Sequence, residues 1–253
     1  MTNKFSGELS WIDPDFLVTE AQYNKVESFF LGLGVVFNDL KSIVAFEKIL
    51  NENYEKPEEG DVTSHAGNYG GLTVYTQKLI AGTLIEFFIF LKKNTSIFNT
   101  NEFREVFTRI SAADRQLWKS MIAAAHGNYS NASDLLKTIV QVRNNIAFHY
   151  DHSGKILRNA YISRFFGKTT NERTERAYFS IGETIATTRF YFSDAAIEES
   201  IYIAAGKKPK EDIAEDKEFG KYRQQVSDTI QVVAVTIASL MKNWIQLRRN
   251  LPW

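Results

Sequence analysis

An all-α fold, an elaborated helical bundle with one small β-hairpin at most near residues 177–192, is what this sequence predicts. Three observations predict it. Apolar residues recur every three or four positions over long stretches, which is the period of a helix with one buried face. Only 4 prolines occur in 253 residues, and each interior proline would cost a helix about 3 kcal/mol. Four long helical patterns with shorter ones between them fit a bundle built as a single unit, residues 1–253.

The first pattern runs from Glu20 to about Asn53, carrying Val26, Phe29, Phe30, Leu33, Phe37, Leu40, Val44 and Leu50 on one face behind a Thr19 cap. Gly32 and Gly34 lower its propensity and predict a kink or a close helix contact. Residues 54–71, rich in Gly, Asn, Glu and Pro, read as a loop. A second helix, apolar on most faces and therefore central, spans about Leu72 to Asn94. Asn99 to Ile110 reads as a short helix capped by Thr100 or Asn101. Ser111 to Ala125 reads as another, ended by His126-Gly127-Asn128. A helix beginning at Ser130 or Asn131 and ending near His149 is followed by a turn at Asp151-His152-Ser153-Gly154 and a short amphipathic piece to Phe166. Residues 167–176 are polar. Aromatic and β-branched residues at Ala177–Ile181 and Thr187–Phe192, with Gly182-Glu183 between, suggest the hairpin. Ser193-Asp194 can cap a helix ending near Ala205-Gly206, Lys207–Lys217 reads as a charged linker, and a last helix spans about Glu218 to Arg249.

Composition narrows the function classes. Thirty basic and thirty acidic side chains cancel, so no global field draws the chain to nucleic acid, and purely electrostatic binding is disfavoured. The absence of cysteine removes disulfides, thiolate catalysis and cysteine-ligated zinc. The first residues show no apolar run behind a basic start, so no signal peptide is read there. Leu79–Leu91 and Ile230–Met241 are apolar but shorter than the roughly 20 residues of a membrane span. They read as core helices of a cytoplasmic protein with no membrane partner.

The most informative segment is Val142-Arg143-Asn144-Asn145-Ile146-Ala147-Phe148-His149-Tyr150-Asp151. It gathers a permanent cation, two amides and an imidazole within two helical turns. Imidazole titrates near neutrality and moves protons in either direction. A guanidinium can neutralise charge building on a phosphate under attack. Together they suffice for RNA cleavage without metal or cofactor: His149 would help the 2′-hydroxyl attack or protonate the leaving 5′-oxygen, while Arg143 steadies the phosphorane. At 3.6 residues per turn, however, Arg143 and His149 point roughly 120° apart. Asn145 shares the face of His149 and can hold its ring. Convergence requires long side chains bending inward, an early helix end, or a second copy supplying half the site across a two-fold axis.

This run resembles the Arg-x(4–6)-His signature of the HEPN superfamily (higher eukaryotes and prokaryotes nucleotide-binding domain). The similarity covers about residues 130–152. It implies a helical bundle, a homodimer and metal-independent endoribonuclease activity on single-stranded RNA, as in members that act as toxins or phage-defence effectors. It implies an RNA or nucleotide ligand and an antitoxin protein as partners. Carried over by position, Arg143 and His149 match the catalytic pair and Asn144 the polar residue after the arginine; Asn145 and Tyr150 become candidate substrate contacts.

Blander readings stand beside this one. Arg143 can pair with an acid and His149 can cap a helix end, leaving a nucleotide- or RNA-binding module without activity, or a helical scaffold. His149-Tyr150-Asp151-His152 lacks a second cluster to complete a metal site. Gly67-Asn68-Tyr69-Gly70-Gly71 before a helix can cradle a phosphate but lacks the lysine of a P-loop, so a flexible connector is the preferred reading. Lys207-Lys208-Pro209-Lys210 is followed at once by acids, and Trp118 and Trp244 read as core.

Overall fold

A computed structural model of the chain describes residues 12–18, 22–55, 63–127, 150–166, 177–204 and 214–249. Of these, the side chains of residues 150–154, 186, 214–223 and 225 fall outside the description. The all-α expectation holds: helices account for most of the described residues. The one pairing of extended chain among them is an antiparallel bridge, Ser180 to Arg189, at the place expected for a hairpin.

Local chemistry sets the helix ends. A four-residue turn, α1 (Pro14–Leu17), starts on proline with the Asp13 carboxylate accepting from the Asp15 amide. The helix expected from Glu20 begins later, as α2 (Lys25–Asn53). Asn24 supplies its cap, accepting from the Val26 amide at 2.8 Å and donating to Glu27 at 3.3 Å. The proposed cap, Thr19, lies outside the described residues. Next comes α3 (Ser64–Lys93), one turn of 3₁₀ helix (Thr95–Asn99), α4 (Asn101–Arg109) and α5 (Ala112–Ala125). Of the caps expected for α4, Thr100 is found, accepting from the Phe103 amide; Ser111, expected as the first residue of its helix, caps α5 by accepting from the Asp114 amide. Gly127, at φ +77°, follows α5 in the left-handed conformation that glycine adopts without strain. Among the described residues the remaining α-helices are α6 (Tyr150–Phe165), α7 (Tyr191–Ala204) and α8 (Ala214–Arg248), with a 3₁₀ turn at Ile185–Thr187.

Two corrections are visible here. The last helix starts four residues earlier than expected, so Ala214–Lys217 is helix and not linker. Tyr191 and Phe192, expected in a strand, open α7, and Ser193-Asp194 lie in its first turn.

The chain divides into two compact units: residues 1–45, 86–132 and 229–253, and residues 46–85 and 133–228. Three helices, α2, α3 and α8, run through stretches of both. The first unit is built on aromatics. Phe30 stacks on Trp244 with centroids 4.7 Å apart, and Phe29 stacks on Phe90 at 5.2 Å. Phe98, Phe103 and Trp118 meet Phe29 edge-on. Trp118 and Trp244 are the buried core residues the sequence predicts. The glycines of α2 explain the close fit: a Cβ on Gly32 would strike the Phe90 ring, and one on Gly34 would reach Met241. They mark a close contact between helices, one of the two outcomes expected for them. A polar clamp closes the same unit. Glu102 accepts from the Trp244 indole at 3.0 Å and from Arg248 Nε at 2.7 Å, while the other end of Arg248 meets buried Glu27 at 3.1 Å.

Helices α2, α3 and the Val226–Arg248 part of α8 are long and apolar enough to cross a membrane by length and composition, which exceeds the two short stretches read from the sequence. In α3, 61% of the most apolar window is buried within the protein, against 28% and 39% in the other two. Helix α3 therefore spends its apolar surface on the core. It also buries Thr73, Thr76, Gln77 and Lys78.

Candidate functional site

The candidate catalytic residues Arg143, Asn144 and His149, and the candidate contact Asn145, lie outside the described residues, as does the helix expected at 130–149. Tyr150 is placed by its backbone alone, as the first residue of α6. What the structure describes is the scaffold that follows the motif. It overturns one expectation: no turn occurs at Asp151-His152-Ser153-Gly154, and α6 runs through all four. A single interior glycine costs a helix about 1 kcal/mol, which packing farther along the same helix offsets. The residue after His149 is thus helical.

Helix α6 is anchored to α7 by both apolar and polar contacts. Ala160 and Phe165 are buried, and the Tyr161 ring lies 4.7 Å from Phe165 and meets Phe192 edge-on at 6.3 Å. Ser163 donates to Glu199 at 2.7 Å. Arg164 Nη1 lies 3.6 Å from Glu198 and 4.0 Å from Glu199. Glu199 is 2% exposed, and a carboxylate so placed requires such partners. Sequence reading missed it, because Ser163 and Glu199 are 36 residues apart and neither belongs to a motif.

The second correction concerns the glycine-rich run. Gly67 to Gly71 is not a loop but the opening turns of α3, which begins at Ser64. Gly67 and Gly71 receive side chains from the bridge and from α7. A Cβ on Gly67 would enter the Tyr191 ring, and one on Gly71 would overlap the Arg189 guanidinium. Arg189 is held there by Asp194, with Nε 2.9 Å from the carboxylate. The Tyr191 hydroxyl lies 3.3 Å from Ser180 Oγ and 3.5 Å from the Ser64 carbonyl. The space a phosphate cradle would need is filled by protein, so neither a cradle nor a flexible connector describes this segment.

The start of α3 also meets the chain that leaves α2. The His65 ring stacks on Tyr54 at 5.5 Å, and its Nε2 lies 3.0 Å from the Glu55 carbonyl. The Tyr69 hydroxyl donates to Asn51 at 3.4 Å. Among the described residues no three His, Asp or Glu side chains gather as metal ligands do. The lysines at 207, 208 and 210 are outside the description. The chain matches no family model, no curated protein and no solved structure.

Proposed function

We propose that this protein is a HEPN-like, metal-independent endoribonuclease of the cytoplasm that cleaves single-stranded RNA by attack of its own 2′-hydroxyl, acting as a toxin or phage-defence effector. One observation carries the reading: the Arg143-Asn144-Asn145-x3-His149 run belongs to a chain whose described residues are mostly helical, and it directly precedes a helix pinned through buried Glu199. In this reading His149 transfers the proton, Arg143 stabilises charge on the phosphorane, Asn144 positions the pair, and Asn145 and Tyr150 contact RNA. No cofactor is needed. Because an ideal helix puts Arg143 and His149 roughly 120° apart, the site is completed by a second copy across a two-fold axis, and an antitoxin protein would restrain it.

The test uses purified protein, single-stranded RNA and excess EDTA. Cleavage should leave 2′,3′-cyclic phosphate ends and spare DNA, which lacks the nucleophile. His149→Ala should lower the rate by about 10²- to 10⁴-fold. Arg143→Lys should also lose much of it, since an ammonium keeps the charge but not the planar fork. Asn144→Ala should lose less. Undiminished cleavage by His149→Ala would refute the site. Folded wild type that leaves RNA intact would hand the case to a nucleotide- or RNA-binding module or to a scaffold.

A further inference from the structure

Glu199 is a buried carboxylate that the proposed chemistry does not use. It sits on α7, accepting from Ser163 at 2.7 Å and lying 4.0 Å from Arg164 Nη1. Arg164 also lies 3.6 Å from Glu198, which is partly exposed. Such a network is a poor source of stability, since well-packed apolar side chains of similar size often hold a fold as well or better. What it adds is direction. The apolar contacts between α6 and α7, Tyr161 on Phe192 among them, tolerate a small slide or roll. A short hydrogen bond to a buried carboxylate does not.

Its place along α6 gives that direction a use. Ala160 and Phe165 are the buried side chains of α6 among those described, and Ser163 and Arg164 lie between them. The anchor is thus at the C-terminal end of the helix. The other end, Tyr150, is the residue after His149. About 20 Å of helix separates Ser163 from Tyr150, at about 1.5 Å per residue. A lever of that length turns a tilt of about 3° at the anchor into about 1 Å at the far end, and a misplacement of about 1 Å can cost a reaction about 10²-fold.

We propose that Glu199, through Ser163 and Arg164, is a positioning residue for the candidate RNA-cleaving site, fixing the axis of the helix that follows His149. The role given to His149 rests on the nuclease reading; the coupling of Glu199 to His149 does not.

The imidazole proton resonance of His149, assigned by its loss in His149→Gln, reads that coupling directly, with His65 and His126 on other helices as internal standards. Glu199→Gln, folded by circular dichroism, should move the His149 resonance and leave the other two in place. The apolar replacement Arg164→Met/Glu199→Leu should move it too while melting no lower than Glu199→Gln. Glu27→Ala, which loosens the clamp of the first unit, should leave His149 unmoved, so that lost stability alone does not imitate the effect. On single-stranded RNA, Glu199→Gln should lower kcat about 10-fold with KM within about 2-fold. A His149 resonance indifferent to both Glu199 variants, or moved equally by Glu27→Ala, would overturn the proposal. So would an unchanged kcat in a protein that cuts RNA. Wild type that cuts nothing would remove the nuclease reading, and the His149 resonance would still decide the positioning role.

Discussion

Substituting each glycine of α3 by alanine should separate helix propensity from side-chain accommodation within a few residues of one helix. Gly70 is exposed and a Cβ there meets nothing within 4 Å. Gly70→Ala should therefore stabilise by about 0.5–1 kcal/mol, the ordinary preference for alanine. Gly67 faces the Tyr191 ring at Cγ, Cδ1 and Cε1. Because Cγ is one bond from the tyrosine Cβ, the ring cannot swing clear without moving the first residue of α7. Overpacking of that kind costs about 1–3 kcal/mol, so Gly67→Ala should destabilise by roughly 1–2 kcal/mol even after the propensity gain. Gly71 is intermediate. The guanidinium tip it faces can rotate away, but only by leaving Asp194, and Gly71→Ala should fall between roughly 0 and 1 kcal/mol of loss. The gap between Gly70→Ala and Gly67→Ala corresponds to about 3–12 °C in melting temperature for a chain of this size. Thermal melts followed by far-UV circular dichroism would measure it. Equal stabilisation by both substitutions would refute the packing of Tyr191 on α3.

Three further outcomes follow from the described contacts. Trp244→Phe should cost more stability than Trp118→Phe in urea melts, because Trp244 loses its bond to Glu102, whereas the buried Trp118 indole N–H has no partner among the described residues. Glu199→Ala should destabilise by roughly 3–5 kcal/mol, the range for removing one member of a buried charged network. Hydrogen exchange should show the faster opening in α6 and α7, and Glu199→Gln should keep part of the loss back by still accepting from Ser163. Glu27→Ala should destabilise by roughly 1–3 kcal/mol, less than a fully buried pair because Arg248 retains Glu102; equal melts for wild type and variant would dissolve the clamp.

The elements that were legible in the sequence depend on neighbours close along the chain. Apolar period located α2 and α8 to within a few residues, and a hydroxyl cap placed α4, because Thr100 acts on an amide three residues away. The bridge at Ser180 and Arg189 also lay where local composition put it. The opening turns of α3 were not legible for the converse reason. Gly67 and Gly71 look like a connector until Tyr191 and Arg189, about 120 residues later, are brought against them. The same applies to Gly154, whose helix is fixed by Glu199. Of the candidate site, the sequence supplied the residues Arg143, Asn144, Asn145 and His149, and the description adds the helical state of Tyr150 and the anchoring of α6.

The division of the chain also sorts its chromophores. The two described tryptophans, Trp118 and Trp244, belong to the first unit, while every described tyrosine except Tyr23 belongs to the second. The protein thus carries its own pair of optical reporters: indole emission records one unit, and phenol absorbance records chiefly the other. With three helices shared by both stretches, the two signals should melt along a single curve, and a single-residue change that parts them would reveal which half yields first.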